Sequence, residues 1–376
     1  MNSELHLFII WEKGRAKEKE ILDDIGSRLE ILSKKYITWS KDKFTENLTR
    51  FYGKNLPSSS DKIKECGTGE FLLIVVRDNN PVYCPRKTSK GVKNVNVNIF
   101  DAKELYRFWT GGGSKIHATN SLAEVNHDMT LLLGMNAYDF EKNNTMCACS
   151  KEQRDLVGAN YWNSFSEFLY VLNNCVEYVI LRNYEGLPEQ ITIGSHGDVD
   201  FLTPDRKQFE MVANSRPVFK QKYRVRETIQ MREGAVFCDV RFFGDGYYDS
   251  LWEQNIIATR VFCEKEFYVP NNVNLAYSLL YHAFIQKNVV AEDYKIKLKK
   301  YVALVNQNES STYETFDNRA YWLSYLCNFL NKNSYLITEP TDLSVTFNLN
   351  GASEKESFQH YSKRFCYKLM RKIKLV

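Results

Sequence analysis

The stretch Gly197-Asp-Val-Asp-Phe-Leu-Thr203 constrains this chain more than any other, because it sets two acids one residue apart inside an apolar run. In a strand the side chains alternate faces, so Asp198 and Asp200 point the same way while Val199, Phe201 and Leu202 feed a core. Two like charges at that spacing raise each other's pKa unless a positive partner sits between them. A divalent cation, Mg²⁺ or Mn²⁺, is such a partner, and paired carboxylates that hold one suit phosphate chemistry. The competing reading is a turn that ends in a solvated strand edge.

A chain of 376 residues exceeds one ordinary core, so two or three domains are expected. Hydrophobic residues at 44% suffice to pack them, and the bulk composition excludes disorder. Fifty basic and 46 acidic side chains nearly cancel, which argues against dedicated nucleic-acid binding through a broad basic field. Nine scattered cysteines form no disulfide framework, and a reducing cytoplasm is the expected location. No basic leader precedes the short run Leu-His-Leu-Phe-Ile-Ile, and no run approaches 18 apolar residues, so neither signal peptide nor membrane span is expected.

The pattern predicts an α+β chain. Residues 5–10 read as a buried strand, and 16–34 as an amphipathic helix with Ile21, Ile25, Leu29 and Leu32 on one face. A helix follows over 42–52, ending at Gly53. Residues 70–78 read as a strand, and 121–133 as a helix opened by a Ser-x-x-Glu capping box. This order suggests a ferredoxin-like sandwich, an antiparallel sheet with helices on one side, over residues 1–140. The Asn-rich segment 141–158 reads as a linker, and its Cys147-x-Cys149 lacks a second pair at zinc spacing.

Over residues 5–137 the chain resembles nucleoside diphosphate kinase. Leu-Phe-Ile-Ile-Trp-Glu-Lys-Gly stands at that family's first strand, and Arg-Phe-Tyr-Gly at its tyrosine-bearing helix. The segment Gly111–Gly134 is similar to the one holding its phosphohistidine. The resemblance places His117 on the phosphorylated histidine and Tyr52 on the phosphate-side tyrosine. It also departs: Trp11 occupies the lysine position with Lys13 nearby, Ser114 replaces an asparagine, and no arginine-rich clamp is evident. A histidine that attacks a γ-phosphate needs cationic donors. A degenerate binding or scaffolding domain is the expected state.

After the linker come a helix near 161–174, the aspartate strand, a helix at 204–214, and a strand Phe-Cys-Asp-Val-Arg-Phe carrying Asp239. That series resembles the nucleotidyltransferase superfamily of DNA polymerase beta over about 159–262, and implies a nucleotidyltransferase-like mixed sheet over 159–265. The resemblance assigns Asp198, Asp200 and Asp239 as catalytic and metal-holding acids for Mg²⁺ or Mn²⁺. It departs where Arg182-Asn183 stands in place of the family's Gly-Ser turn, so Arg182 becomes a phosphate clamp, or else forms a salt bridge to Glu185 or another nearby acid. Ser195 and His196 make a second phosphate-facing loop, or a solvated one. Asp245 and Asp249 either meet substrate or form ordinary turns. Residues 266–376 read as a helical region with helices at 274–288, 291–307 and 318–333, in which Lys287 reaches phosphate and His282 is either a core residue bonded to a carbonyl or a site residue. Residues 341–350 read as a late strand.

The sequence thus predicts a metal-dependent transferase that moves a nucleotidyl or phosphoryl group from a nucleotide or nucleotide-linked donor to the hydroxyl of a small-molecule or glycan acceptor. The chain's make-up also resembles bacterial surface-glycan assembly enzymes. One alternative is a non-catalytic nucleotide-binding or scaffold protein with two degenerate folds, and another is a phosphohistidine kinase acting through His117.

Residues 362–376 alternate six bases (Lys363, Arg364, Lys368, Arg371, Lys372 and Lys374) with large apolar side chains. As a helix this tail would rest on an anionic inner membrane face, each base adding about 1 kcal/mol before salt screening. A soluble tail is the competing reading. Co-sedimentation with anionic vesicles should fall on truncation after Tyr361, and equal sedimentation of both proteins would remove the anchor.

Overall fold

The computed structural model describes residues 3–88, 91–143, 149–194, 198–287, 289–305 and 318–348. The tail at 362–376 and the pair Ser195-His196 lie outside the described residues, as does Cys147. Two compact units divide the chain. One comprises residues 1–176 with 211–214, and the other the remainder.

The first unit grows from β1 (Glu4–Ile10), apolar enough to be buried on both faces. After a 3₁₀ turn come α1 (Glu18–Arg28), β2 (Glu30–Thr38), α2 (Phe44–Tyr52), α3 (Asp61–Cys66) and β3 (Phe71–Asp78). A hairpin of β4 (Tyr83–Thr88) and β5 (Gly91–Asn96) leads into α4 (Val97–Trp109) and β6 (Ile116–Ala118). Helices α5 (Leu122–Leu133) and α6 (Ala137–Lys142), strand β7 (Ser150–Gln153) and helix α7 (Phe165–Cys175) complete it. The sheet order is β6-β1-β3-β2-β7, antiparallel except for the β2–β7 pair.

Three expectations change here. The long helix ends at Arg28, and Leu29 and Leu32 leave it because residues 30–38 pair with β3 as a strand. Pairing with a buried partner outweighs helical periodicity in a run that contains Ile31, Tyr36 and Ile37. Both sheet faces are covered, not one: Phe8, Ile10, Ile74 and Val76 pack with α1 and α4, while Leu7, Ile9, Leu73 and Val75 of the opposite face are also buried. Residues 150–153, inside the stretch expected as a linker, hydrogen-bond to β2. Gly53, with φ of 59°, closes α2 as expected, and Ser121 caps α5 by accepting from the Glu124 N–H.

The second unit is built on β8 (Val179–Ile180), β9 (Asp198–Thr203), α8 (Arg206–Ala213), β10 (Arg216–Pro217), β11 (Arg226–Met231) and β12 (Gly234–Phe242). The last turn of α8 belongs to the first unit. The sheet order is β10-β11-β12-β9-β8, with β9 and β12 parallel and the other pairs antiparallel. Then come α9 (Ser250–Ala258), the short ladder of β13 (Val261–Phe262) with β14 (Tyr268–Val269), and helices α10 (Asn272–Phe284), α11 (Glu292–Val305) and α12 (Arg319–Lys332).

These three helices stand where the sequence places them, and their apolar faces close around Trp252, Tyr281 and Leu326. The late strand at 341–350 is not formed over its described residues 341–348. The Thr341 N–H donates to the Asp245 carbonyl and the Asn348 N–H to that of Ile285, while the Asp342 carboxylate takes the Ser344 N–H and hydroxyl. The backbone partners of this run are loop groups, and a local turn interrupts it. Among the described residues no helix is long and apolar enough to cross a membrane.

Candidate functional site

In the parallel pair β9–β12, Asp200 lies opposite Asp239, Asp198 opposite Phe237, and Leu202 opposite Arg241. Paired residues of neighbouring strands share a face, so Asp198, Asp200, Asp239 and Arg241 stand together. Arg226 of β11, opposite Asp239, joins them. These residues except Arg226 line a cavity of about 330 Å³ with Arg182, Tyr247, His282, Gln286 and Lys287.

Arginines answer the acids. Arg226 donates to Asp198 in a very short contact, and the Arg182 Nη2 donates to Asp200 at 2.9 Å and to the Tyr247 hydroxyl at 2.6 Å. Arg182 therefore forms the salt bridge to a nearby acid that the competing reading expected, with Asp200 rather than Glu185 as its partner. Among the described residues, Asp239 has the Arg241 guanidinium alone as an ion-pair partner, at 3.7 Å, which is too long for a hydrogen bond. Burial, opposed by Arg241 and reinforced by Asp200 and Asp198, pushes the Asp239 carboxyl up to about 6. Burial also raises Asp198, against the pull of Arg226.

His282 sits on α10 with Nδ1 at 3.0 Å from both the Tyr247 hydroxyl and the Gln286 Oε1. Burial and then the charge of Arg182 drive its pKa well below the usual histidine range, so the ring is neutral at neutral pH. Its partners are side chains rather than the carbonyl expected of a core histidine. Lys287 is exposed at the rim. Asp245 accepts the Tyr247 N–H and faces Arg241 at 3.7 Å, while Asp249 caps α9 through the Leu251 N–H and also accepts the Leu336 N–H.

The donor set offered to a metal is carboxylate oxygen alone, which suits a hard cation such as Mg²⁺ or Mn²⁺. As the side chains stand, no group of three or more His, Cys, Asp or Glu among the described residues is placed to hold one ion. The reason is visible in the contacts, since Arg226 and Arg182 draw two of the three acids to themselves.

Sequence reasoning missed Arg226, Arg241 and Tyr247. Arg241 was within its reach, because it follows Asp239 by two in a strand and so shares its face. Gln286 was legible, since it stands one helical turn from His282, and the two are in hydrogen-bond contact. Tyr247 approaches through loop placement, which no local pattern encodes.

In the first unit, His117 lies partly open beside Tyr52, with ring centroids 5.5 Å apart, on a cavity of about 400 Å³. Its Nε2 meets the Asp128 Oδ2 at 2.7 Å, and the His127 Nδ1 meets the other oxygen at 2.8 Å. Burial opposes the charge of Asp128, yet the two imidazoles hold its carboxyl below the usual range. Lys54, Lys62, Lys87, Lys103 and Arg107 line the same cavity, a cationic set absent from any short motif. Burial lowers both Lys62 and Lys103 to about 8. Trp11 donates from Nε1 to the Tyr52 hydroxyl at 3.2 Å, so the residue in the lysine position serves the aromatic wall.

The raised Asp239 has a pH consequence. The folded carboxyl titrates near 6 against an ordinary 3.8, so the folded state holds the extra proton between those values. Stability then falls as pH rises from about 4 to about 6. Asp239→Asn should gain up to about 3 kcal/mol over wild type above pH 6 and lose the gain below pH 4, as read by thermal unfolding at both ends. A pH-independent difference would contradict the assignment.

Searched against protein-family models and curated proteins, the chain matches none.

Proposed function

We propose that the second unit is a metal-dependent nucleotidyl- or phosphoryl-group transferase acting on a hydroxyl acceptor. The observation that carries this reading is the parallel register that puts Asp198, Asp200 and Asp239 on one cavity face, with Arg182 and Arg241 buried beside them. The sheet order and the flanking helices support the resemblance to the DNA polymerase beta superfamily.

Asp198 and Asp200, joined by Asp239, would hold Mg²⁺ or Mn²⁺ once Arg226 and Arg182 release oxygens to it. A cation there lowers the acceptor hydroxyl's pKa and withdraws charge from the phosphate. The acceptor oxygen bonds to the phosphorus, the bond from phosphorus to the leaving phosphate breaks, and the hydroxyl proton passes to Asp239. Arg182 and Lys287 neutralise the departing phosphate. His282, held neutral, orients Tyr247 and through it Arg182. A nucleotide-linked donor and a small-molecule or glycan hydroxyl are the fitting substrates, and surface-glycan synthesis is the fitting process.

Asp198→Asn should reduce Mg²⁺-dependent pyrophosphate or phosphate release by about 100-fold or more while far-UV circular dichroism stays unchanged. Asp198 is the better test because Asp200→Asn would leave Arg182 buried without its partner. Undiminished release from Asp198→Asn would remove the transferase reading. Saturable nucleotide binding without any turnover would favour the binding-protein alternative.

For the first unit, one observation favours phosphohistidine chemistry over a purely scaffolding role. Asp128 takes the His117 Nε2–H, which leaves the Nδ1 lone pair for a phosphorus beside five cationic side chains. Incubation with γ-labelled nucleoside triphosphate should give acid-labile label on wild type and none on His117→Gln. Equal labelling of both would leave this unit a scaffold that resembles nucleoside diphosphate kinase in order of elements only.

A further inference from the structure

Arg241 is the odd member of the second unit's cavity. It is 3% exposed, and among the described residues its Nε and Nη1 have no hydrogen-bond partner. The guanidinium lies 4.1 Å over the Tyr247 ring, with Asp239 3.7 Å from Nη2 and Asp245 3.7 Å from Nη1. Its charge is compensated on both sides, yet among the described residues the donors on Nε and Nη1 go unused. A buried donor left unmade costs about 1–3 kcal/mol, so the arrangement is unfavourable unless something else accepts from it.

We propose that Arg241 receives a phosphate oxyanion at the buried end of this cavity. The proposal deepens the transferase reading by naming the residue that takes the phosphate, and it rests on that reading for the role of the phosphate in turnover. Three facts favour an oxyanion over a neutral ligand group. A guanidinium presents its donors as a planar fork that two oxygens of one phosphate match. Around it the lining charges balance, with Arg182, Arg241 and Lys287 against Asp198, Asp200 and Asp239, and His282 neutral. Any divalent cation taken up by the acids turns that balance positive, which leaves the cavity short of negative charge. The position fits as well. Arg241 shares its strand face with Asp239 and Asp200, so an oxyanion on its fork lies beside the acids where a phosphorus would react.

The purely structural alternative is that Arg241 only ties Asp239 to Asp245, a small shift being enough to close either gap. Its consequence is a change in stability without a change in affinity.

The test uses the full chain with inorganic pyrophosphate, standing for the donor side, and phenyl phosphate, standing for a phosphorylated acceptor, each with and without Mg²⁺. Arginine Nε–H resonances are followed in wild type, and that of Arg241 is assigned there by through-bond connection to its own backbone resonances. Addition of at least one of the two probes should shift the Arg241 resonance, and titration calorimetry should show at least a tenfold weaker affinity in Arg241→Lys. The probe that acts tells donor side from acceptor side. Wild-type affinity in a folded Arg241→Lys overturns the proposal, as does saturation of the wild type by either probe with an unmoved Arg241 resonance, or no binding of either probe. The wild-type spectrum decides the matter even if Arg241→Lys fails to fold. Phosphate captured by Arg241 in a protein that releases no product would uphold this inference while removing the transferase reading.

Discussion

The site in the second unit depends on one pairing, β9 beside β12 in parallel register. Shift it by one residue and Asp239 moves to the far face, away from Asp198 and Asp200. The register is held from both sides by apolar residues, with Phe201, Cys238 and Val240 wholly buried beneath the strands that display the acids. A polar face is thus fixed by an apolar one. Burial first, and then the neighbouring carboxylates, raise the titration of Asp198 and Asp239.

Arginines meet those carboxylates in the state described here. The Arg182–Asp200 pair is buried and bonded at 2.9 Å, and Tyr247 shares the guanidinium. Buried pairs of this kind add little net stability, because the desolvation of both ions offsets their attraction. What they supply is placement: a guanidinium held within hydrogen-bond reach of an acid that a metal would also claim. Exchange of one cation for another at Asp198 and Asp200 is the physical step on which the transferase reading turns.

Much of the second unit was legible in the sequence. The two-residue period of Asp-Val-Asp-Phe-Leu and of Phe-Cys-Asp-Val-Arg-Phe set the strands, and the long uninterrupted runs past residue 270 set α10, α11 and α12. The parallel register itself was not legible, since α8, β10 and β11 intervene. In the first unit the helix expected to run past Arg28 became β2, where pairing with a buried strand overrode a helical pattern. The cations around His117 come from separate elements, so no motif foretold them. Local chemistry was readable, whereas the neighbours brought in by topology were not.

The most direct measurement is an anomalous difference map from crystals grown with Mn²⁺ and a non-hydrolysable nucleoside triphosphate. Capture of a cation by these acids predicts a peak about 2.2 Å from oxygens of Asp198 and Asp200, with Arg226 withdrawn from Asp198. A map with no such peak, Arg226 and Arg182 still bound to their carboxylates at saturating Mn²⁺, would contradict it.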